Sequence, residues 1–131
     1  MITLLPDPAT LQLRIPATPD HTNTGGDIFG GWIMAQVDIA GSIPAVRRCR
    51  GRVVTVAIKH FVFHKPVFAG DMISIYAEIS HIGTSSITVD IQVHVERNPE
   101  QPETLFVADA QLVYVAVNDQ GQPRPVQQLS Q

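Results

Sequence analysis

"GWIMAQVDIAGSIPAVRR", residues 31–48, decides the fold. Wound at 3.6 residues per turn, Trp32, Ile33, Met34, Val37, Ile39, Ala40, Ile43 and Val46 point in nearly every direction. A helix that is apolar all round is a buried helix. Arg47 and Arg48 close it, which suits the negative end of the helix dipole. Pro44 removes one helical hydrogen bond, so a kink or an early end is expected there. Asp38 is the second anomaly, an acid two turns in with no Lys or Arg at i±3 or i±4.

Outward from the helix the pattern changes. Residues 17–31 read as loop, with Pro19, Asn23 and four glycines. Before them "LQLRIP" (11–16) alternates like a short strand. After the helix the period becomes two. "RVVTVAIKHFVF" (52–63), "MISIYAEISHI" (72–82), "SITVDIQVHVE" (86–96) and "TLFVADAQLVYVAV" (104–117) read as strands. Pro66 with Gly70-Asp71, then Gly83, then Asn98-Pro99 mark turns, and the connections suit antiparallel neighbours. One apolar helix and a sheet with one apolar face pack in one way: the sheet wraps the helix, an α+β arrangement. That is the outline of a hot dog fold, with the short first strand in the same sheet. Residues 1–131 form a single domain, with about 1–10 and 118–131 as loose termini.

Composition narrows the function classes. A length of 131 residues buries a core without disulfides or metal. One cysteine, Cys49, excludes an internal disulfide framework and a cysteine-rich zinc site. No apolar run reaches the length of a membrane span, and the N-terminus lacks a basic region, so a cytoplasmic protein is expected. A net charge of −3 argues against nucleic acid as partner. Charge is unevenly spread, however: from Arg47 to Lys65 there are six basic residues and no acid. That segment is a solvated basic edge or a landing site for a small polyanion such as a phosphate-bearing cofactor.

The stretch "TNTGGDIFGGWIMAQVDIAG" (22–41) holds the candidate chemistry. Gly30 and Gly31 let a ligand approach the backbone, and the first amides of a helix have no internal acceptor. They form an oxyanion hole, or they only let the loop turn. A phosphate loop is rejected, since the Lys and Ser/Thr after the last glycine are missing. Asp38 is a general base or nucleophile, or a structural acid satisfied by Ser42 at i+4 or by a neighbouring strand. Gly30 and Asp38 lie roughly 12 Å apart along the helix at about 1.5 Å per residue. One thioester or ester carbonyl cannot touch both within a chain. If both act on one substrate, two antiparallel helices across a two-fold axis must supply them.

"GDIFGGWIMAQVDIAG" and "GRVVTVAIKHFVFHKPVFAGD" resemble the YciA-type acyl-CoA thioesterases of the hot dog fold, over about Thr22 to Val117. The resemblance implies hydrolysis of acyl-coenzyme A and places the catalytic acid at Asp38. It implies that the Gly30 amide polarises the thioester carbonyl, with Asn23 near the carbonyl or water and Ser42 assisting the acid. It places coenzyme A along Arg52, Val54 and Thr55, near Lys65 and Pro66, and at the turn Gly83, Thr84, Ser85 and Ser86. Family members often have a basic residue where Thr84 stands; a phosphate contact is then lost, or supplied by Arg47, Arg50 or Lys65. Many members are hexamers, trimers of a hot dog dimer. No separate cofactor and no metal are implied, coenzyme A being part of the substrate.

Other constellations weigh less. His60 and His64, read on a strand, are roughly 13 Å apart, too far for one zinc ion. Cys49 sits between Arg48 and Arg50, which favours a thiolate, but no histidine is near in sequence. Asp109, between two alanines, reads as structural. There is no G-x-S-x-G elbow. Two rival functions stand beside the thioesterase: a hot dog acyl-thioester hydratase or dehydratase, and a non-catalytic acyl-CoA-binding protein. The former pairs a histidine with its acid, and none lies between Asn23 and Asp38. Trp32, Met34 and Phe29 are expected in the acyl tunnel wall.

Overall fold

The computed structural model describes residues 4–126. One helix, α1 (Gly30–Cys49), lies on a five-stranded antiparallel sheet. The strands are β1 (Leu11–Pro16), β2 (Val53–Phe63), β3 (Met72–Ile82), β4 (Ser86–Arg97) and β5 (Glu103–Ala116), in the order β1-β3-β4-β5-β2. The expected α+β hot dog architecture is present. One neighbour relation differs: β2 pairs with β5, not with β3. Both edges of β3 are taken, by β1 and β4, so β2 crosses to the free side of β5 and becomes an edge strand.

The core is where the two periodicities meet. Ile33, Val37, Ala40 and Ala45 of α1 are buried together with Ile73, Ile75, Ile87, Val89, Ile91, Val93 and Leu112 from the sheet. On β4 the period-two alternation puts Ile87, Val89, Ile91, Val93 and Val95 inside and leaves Asp90 and Gln92 exposed, although Thr88 and His94 of the outer face are buried as well.

The helix runs through Pro44 to Cys49, so it does not end early. Proline costs one backbone bond, to the carbonyl of Ala40, and burial of Ala40 and Ala45 on either side offsets that loss. Nor is α1 buried all round. Gly31, Ala35, Ile39 (52% exposed) and Val46 (41%) form an open stripe within one chain. Edge strand β2 is similarly open, with Val56 54% and Phe63 44% exposed.

The tail is not loose through Val126. Arg124 N–H donates to the Ala116 carbonyl and Val126 N–H to that of Thr84. The Arg124 guanidinium donates to the Cys49 carbonyl at 3.0 Å, closing the end of α1, where Arg50 adopts a left-handed conformation. A hydrogen-bonded guanidinium against orphan carbonyls fixes a segment that carries no apolar period to announce it. At the other end Pro8–Thr10 form a 3-10 turn capped by Asp7. The outer parts of both expected loose ends, residues 1–3 and 127–131, lie outside the described residues.

Candidate active site

Asp38 stands on the open stripe of α1, half-buried. The hydroxyl of Thr55, on β2, donates to its Oδ1 at 2.6 Å. Ser42 does not reach it; its hydroxyl donates to the Ile39 carbonyl at 2.6 Å, one turn back on its own helix. This corrects the expected Ser42 contact. A serine in a helix interior readily bonds a carbonyl of the preceding turn. Of the expected alternatives the neighbouring strand is the one realised, and Thr55, expected to contact coenzyme A, is the residue that supplies the bond. Below Asp38, the Tyr114 hydroxyl donates to its backbone carbonyl at 2.7 Å. Burial, then the nearby Asp38 charge and hydrogen bond, push the Tyr114 pKa far up, so the phenol stays a donor.

At the start of α1 no side chain among the described residues caps the helix: Phe29 occupies the cap position without a side-chain bond. The cleft there is about 300 Å³ and is lined by Asn23, Gly30, Ile33, Phe63, Lys65 and Pro66, among others. The Phe63 ring lies over Gly30, where an added Cβ would sit 3.4 Å from it. Asn23 accepts the N–H groups of Gly25 and Asp27 on its Oδ1, at 2.9 and 3.1 Å, so one half of its amide shapes the loop. Neither Trp32, Met34 nor Phe29 lines this cleft. Trp32 stacks on His21 instead, with ring centroids 4.5 Å apart.

Asn23, Gly30, Lys65 and Pro66 are thus brought together, and Asp38, with Thr55, is held elsewhere. The residues expected along coenzyme A fall into two groups. Arg52, Val54, Thr55, Gly83, Thr84, Ser85 and Ser86 share one end of the sheet, where Ser86 pairs with Val115 and Val54 pairs with the same residue from the other side. Lys65 and Pro66 follow the far end of β2, about 33 Å away at roughly 3.3 Å per residue.

A larger hollow of about 380 Å³ lies on the opposite face of the sheet and holds none of these residues. On its margin His60 of β2 reaches Asp109 at 2.8 Å, and His64, one residue past the end of that strand, reaches it at 2.6 Å. Long side chains converge where the strand spacing alone suggested separation. Burial pushes the Asp109 pKa up, and hydrogen bonds from the two histidines more than offset this, lowering it overall. Among the described residues no group of three His, Cys, Asp or Glu has an arrangement suited to a metal ion, and no helix is long and apolar enough to cross a membrane.

An α-helix wrapped by an antiparallel sheet, with an uncapped glycine start and a strand-held acid at its middle, defines a hot dog fold protein. The family model described as thioesterase superfamily matches residues 25–101. The acyl-CoA thioester hydrolase YciA of Salmonella typhimurium is 43% identical over 118 residues, covering 88% of this chain and 89% of that one. A hexameric broad-specificity acyl-coenzyme A thioesterase, crystallised as an aspartate-to-alanine variant, superposes with a TM-score of 0.87 at 40% identity, covering 90% of this chain and 86% of that one. The acyl-CoA hydrolase of Staphylococcus aureus superposes with a TM-score of 0.79 at 30% identity, covering 87% of this chain and 69% of that one. It has been solved with an aspartate and, separately, with a threonine replaced by alanine; those two positions are 17 residues apart, as are Asp38 and Thr55. The chain belongs to the thioesterase superfamily, on its YciA-type branch.

Proposed function

We propose that this protein hydrolyses the thioester of acyl-coenzyme A to a free carboxylic acid and coenzyme A, with Asp38 as the reacting acid. The carrying observation is the Asp38 carboxylate, held through Oδ1 by Thr55 on an open face of α1. In this reading its second oxygen takes a proton from water, or attacks the carbonyl itself. In the first route the C–O bond forms from water as Asp38 accepts its proton. The thioester oxygen gathers charge at the Gly30 amide, the C–S bond breaks, and the thiolate leaves and takes up the proton. In the second route Asp38 attacks the carbonyl and displaces the coenzyme A thiolate to form a mixed anhydride, which water then cleaves to the free acid and the restored carboxylate. Neither needs a cofactor, and a cytoplasmic site of action goes with this substrate.

The working site takes its parts from two chains. Gly30 and Asn23 of one copy face Asp38 and Thr55 of another, because about 12 Å of helix separates them within one copy. The open apolar stripe of α1 and the exposed residues of β2 support such self-association. The relatives' hexamers support a trimer of dimers. Ser42, on the same stripe, lies near the acid without bonding it. Coenzyme A then has Lys65 and Pro66 from one chain and the Arg52–Thr55 strand and the Gly83–Ser86 turn from the other.

Thiol release from a panel of straight-chain acyl-CoAs tests the reading. The protein should release coenzyme A thiol, and Asp38→Ala should lower kcat at least a hundredfold while remaining folded and assembled. Turnover near that of the unaltered protein in the variant would sink the assignment. A change in acyl unsaturation without thiol release would favour the hydratase instead. Oxygen-18 in the Asp38 carboxylate after a single turnover in labelled water distinguishes the anhydride from the general-base route.

A further inference from the structure

Gly41 is buried in the middle of α1, a place where glycine is unfavourable relative to alanine. A Cβ there would collide with the Tyr114 hydroxyl and lie 2.9 Å from Ile91 Cδ1. The space serves a hydrogen bond: Tyr114 Oη donates to the Asp38 carbonyl at 2.7 Å. That carbonyl already faces the N–H of Ser42 in the helical ladder, so the helix does not need the tyrosine to satisfy it.

The direction of the strut is informative. Tyr114 is the cross-strand partner of Thr55 in the β2–β5 pairing, and Thr55 holds the carboxylate of the same Asp38. Opposed residues on antiparallel strands keep their Cβ atoms about 4.5–5.5 Å apart on one face. One strand pair therefore grips Asp38 at two points, backbone and side chain. Core packing already seats α1 on the sheet; the two bonds add a local constraint at Asp38, one on its backbone and one on its carboxylate.

We propose that Tyr114, with Gly41 clearing its path, is a positioning residue for Asp38: it constrains the Asp38 backbone so that the carboxylate meets Thr55 and faces the substrate. The inference rests on the reading of Asp38 as the reacting acid. The phenol, buried beside a carboxylate, stays protonated and so remains a donor whenever the enzyme works. A misplacement of about 1 Å in a reacting group can cost a hundredfold in rate. The effect belongs to kcat, since Tyr114 does not line the substrate cleft.

The test is Tyr114→Phe, which keeps the ring and removes the hydroxyl. A tenfold or greater fall in kcat is expected, with KM within about twofold. Val95→Ala serves as the control for general destabilisation. Val95 is buried, and it lies eight residues along β4 from Ile87, the neighbour of Tyr114, about 27 Å away. At a temperature where both variants remain folded by circular dichroism, the control should keep its kcat. Equal kcat in Tyr114→Phe and in the control, with Asp38→Asn inactive, would overturn the positioning role and leave the catalytic reading intact. A rise in KM at unchanged kcat would overturn it too. Full activity in Asp38→Asn would remove the catalytic reading itself.

Discussion

Asp38 was legible as an anomaly from its own helix, but its partner was not. Ser42 at i+4 is the partner that sequence spacing offers; the observed one, Thr55, arrives from a strand 17 positions on. A hydrogen bond needs a separation near 2.8 Å between donor and acceptor, and helical spacing reports only neighbours on the same element. His94 shows a different residue-scale effect. It is 2% exposed, stacked on Phe106, and bonded through Nε2 to Gln92, while its Nδ1 has no partner among the described residues. Burial lowers its pKa below the ordinary 6.5. The unfolded chain therefore takes up a proton below about pH 6.5 that the folded chain refuses. Stability is full above that pH and falls as pH drops, by up to about 1.4 kcal/mol per pH unit from this group. Denaturant titrations at pH 7.5, 6.5 and 5.5 should show a shallower acid loss in His94→Phe than in the unaltered protein. Parallel losses would rule His94 out as the cause.

At the scale of elements, α1 and the strands were legible because their periods differ, 3.6 against 2. Pro44 was the misleading residue. The loss of one N–H was expected to kink the helix or end it early; it does not end there but runs on to Cys49, with Ala40, Ala45 and Cys49 packed into the core around the proline. Tertiary burial overrode local propensity. The proline still carries its cost, so Pro44→Ala should stabilise the fold by about 1–3 kcal/mol, read as a higher denaturation midpoint. A lower midpoint would mean that the bend or the ring at position 44 contributes packing that alanine lacks. The crossing of β2 to β5 was the other miss. A turn-rich connection reads alike whether it closes a hairpin or carries the chain across to another edge, and only the occupied edges of β3 decide between them.

At the scale of the whole molecule, the open stripe of α1 and the exposed face of β2 extend the reading past one chain. If Asn23 with Gly30 serves one substrate and Asp38 a second, mixed assemblies carry the signature. Asp38→Ala and Asn23→Ala proteins, each depressed in turnover, should recover activity when co-assembled, because some sites then draw both groups from unaltered positions. Random exchange within dimers would bring back about a quarter of the unaltered sites in an equal mixture, since only hetero-dimers restore one of their two. No recovery after exchange, verified by mass spectrometry of tagged subunits, would place each complete site within one chain.

The sequence by itself determined the elements and the class. An all-round apolar helix followed by four alternating strands leaves few ways to bury the apolar surface, and burial is non-directional and roughly proportional to area. It also marked Asp38 and the glycines at the helix start, because an acid in apolar surroundings and paired glycines are local oddities. The tertiary structure decided the rest: which hydroxyl holds the acid, why Gly41 carries no side chain, which strand lies at the edge, and where the tail is pinned. These depend on contacts of a few ångströms between residues far apart in the chain. Such contacts are short-ranged and directional, so periodicity, which records only the face a residue belongs to, carries no trace of them.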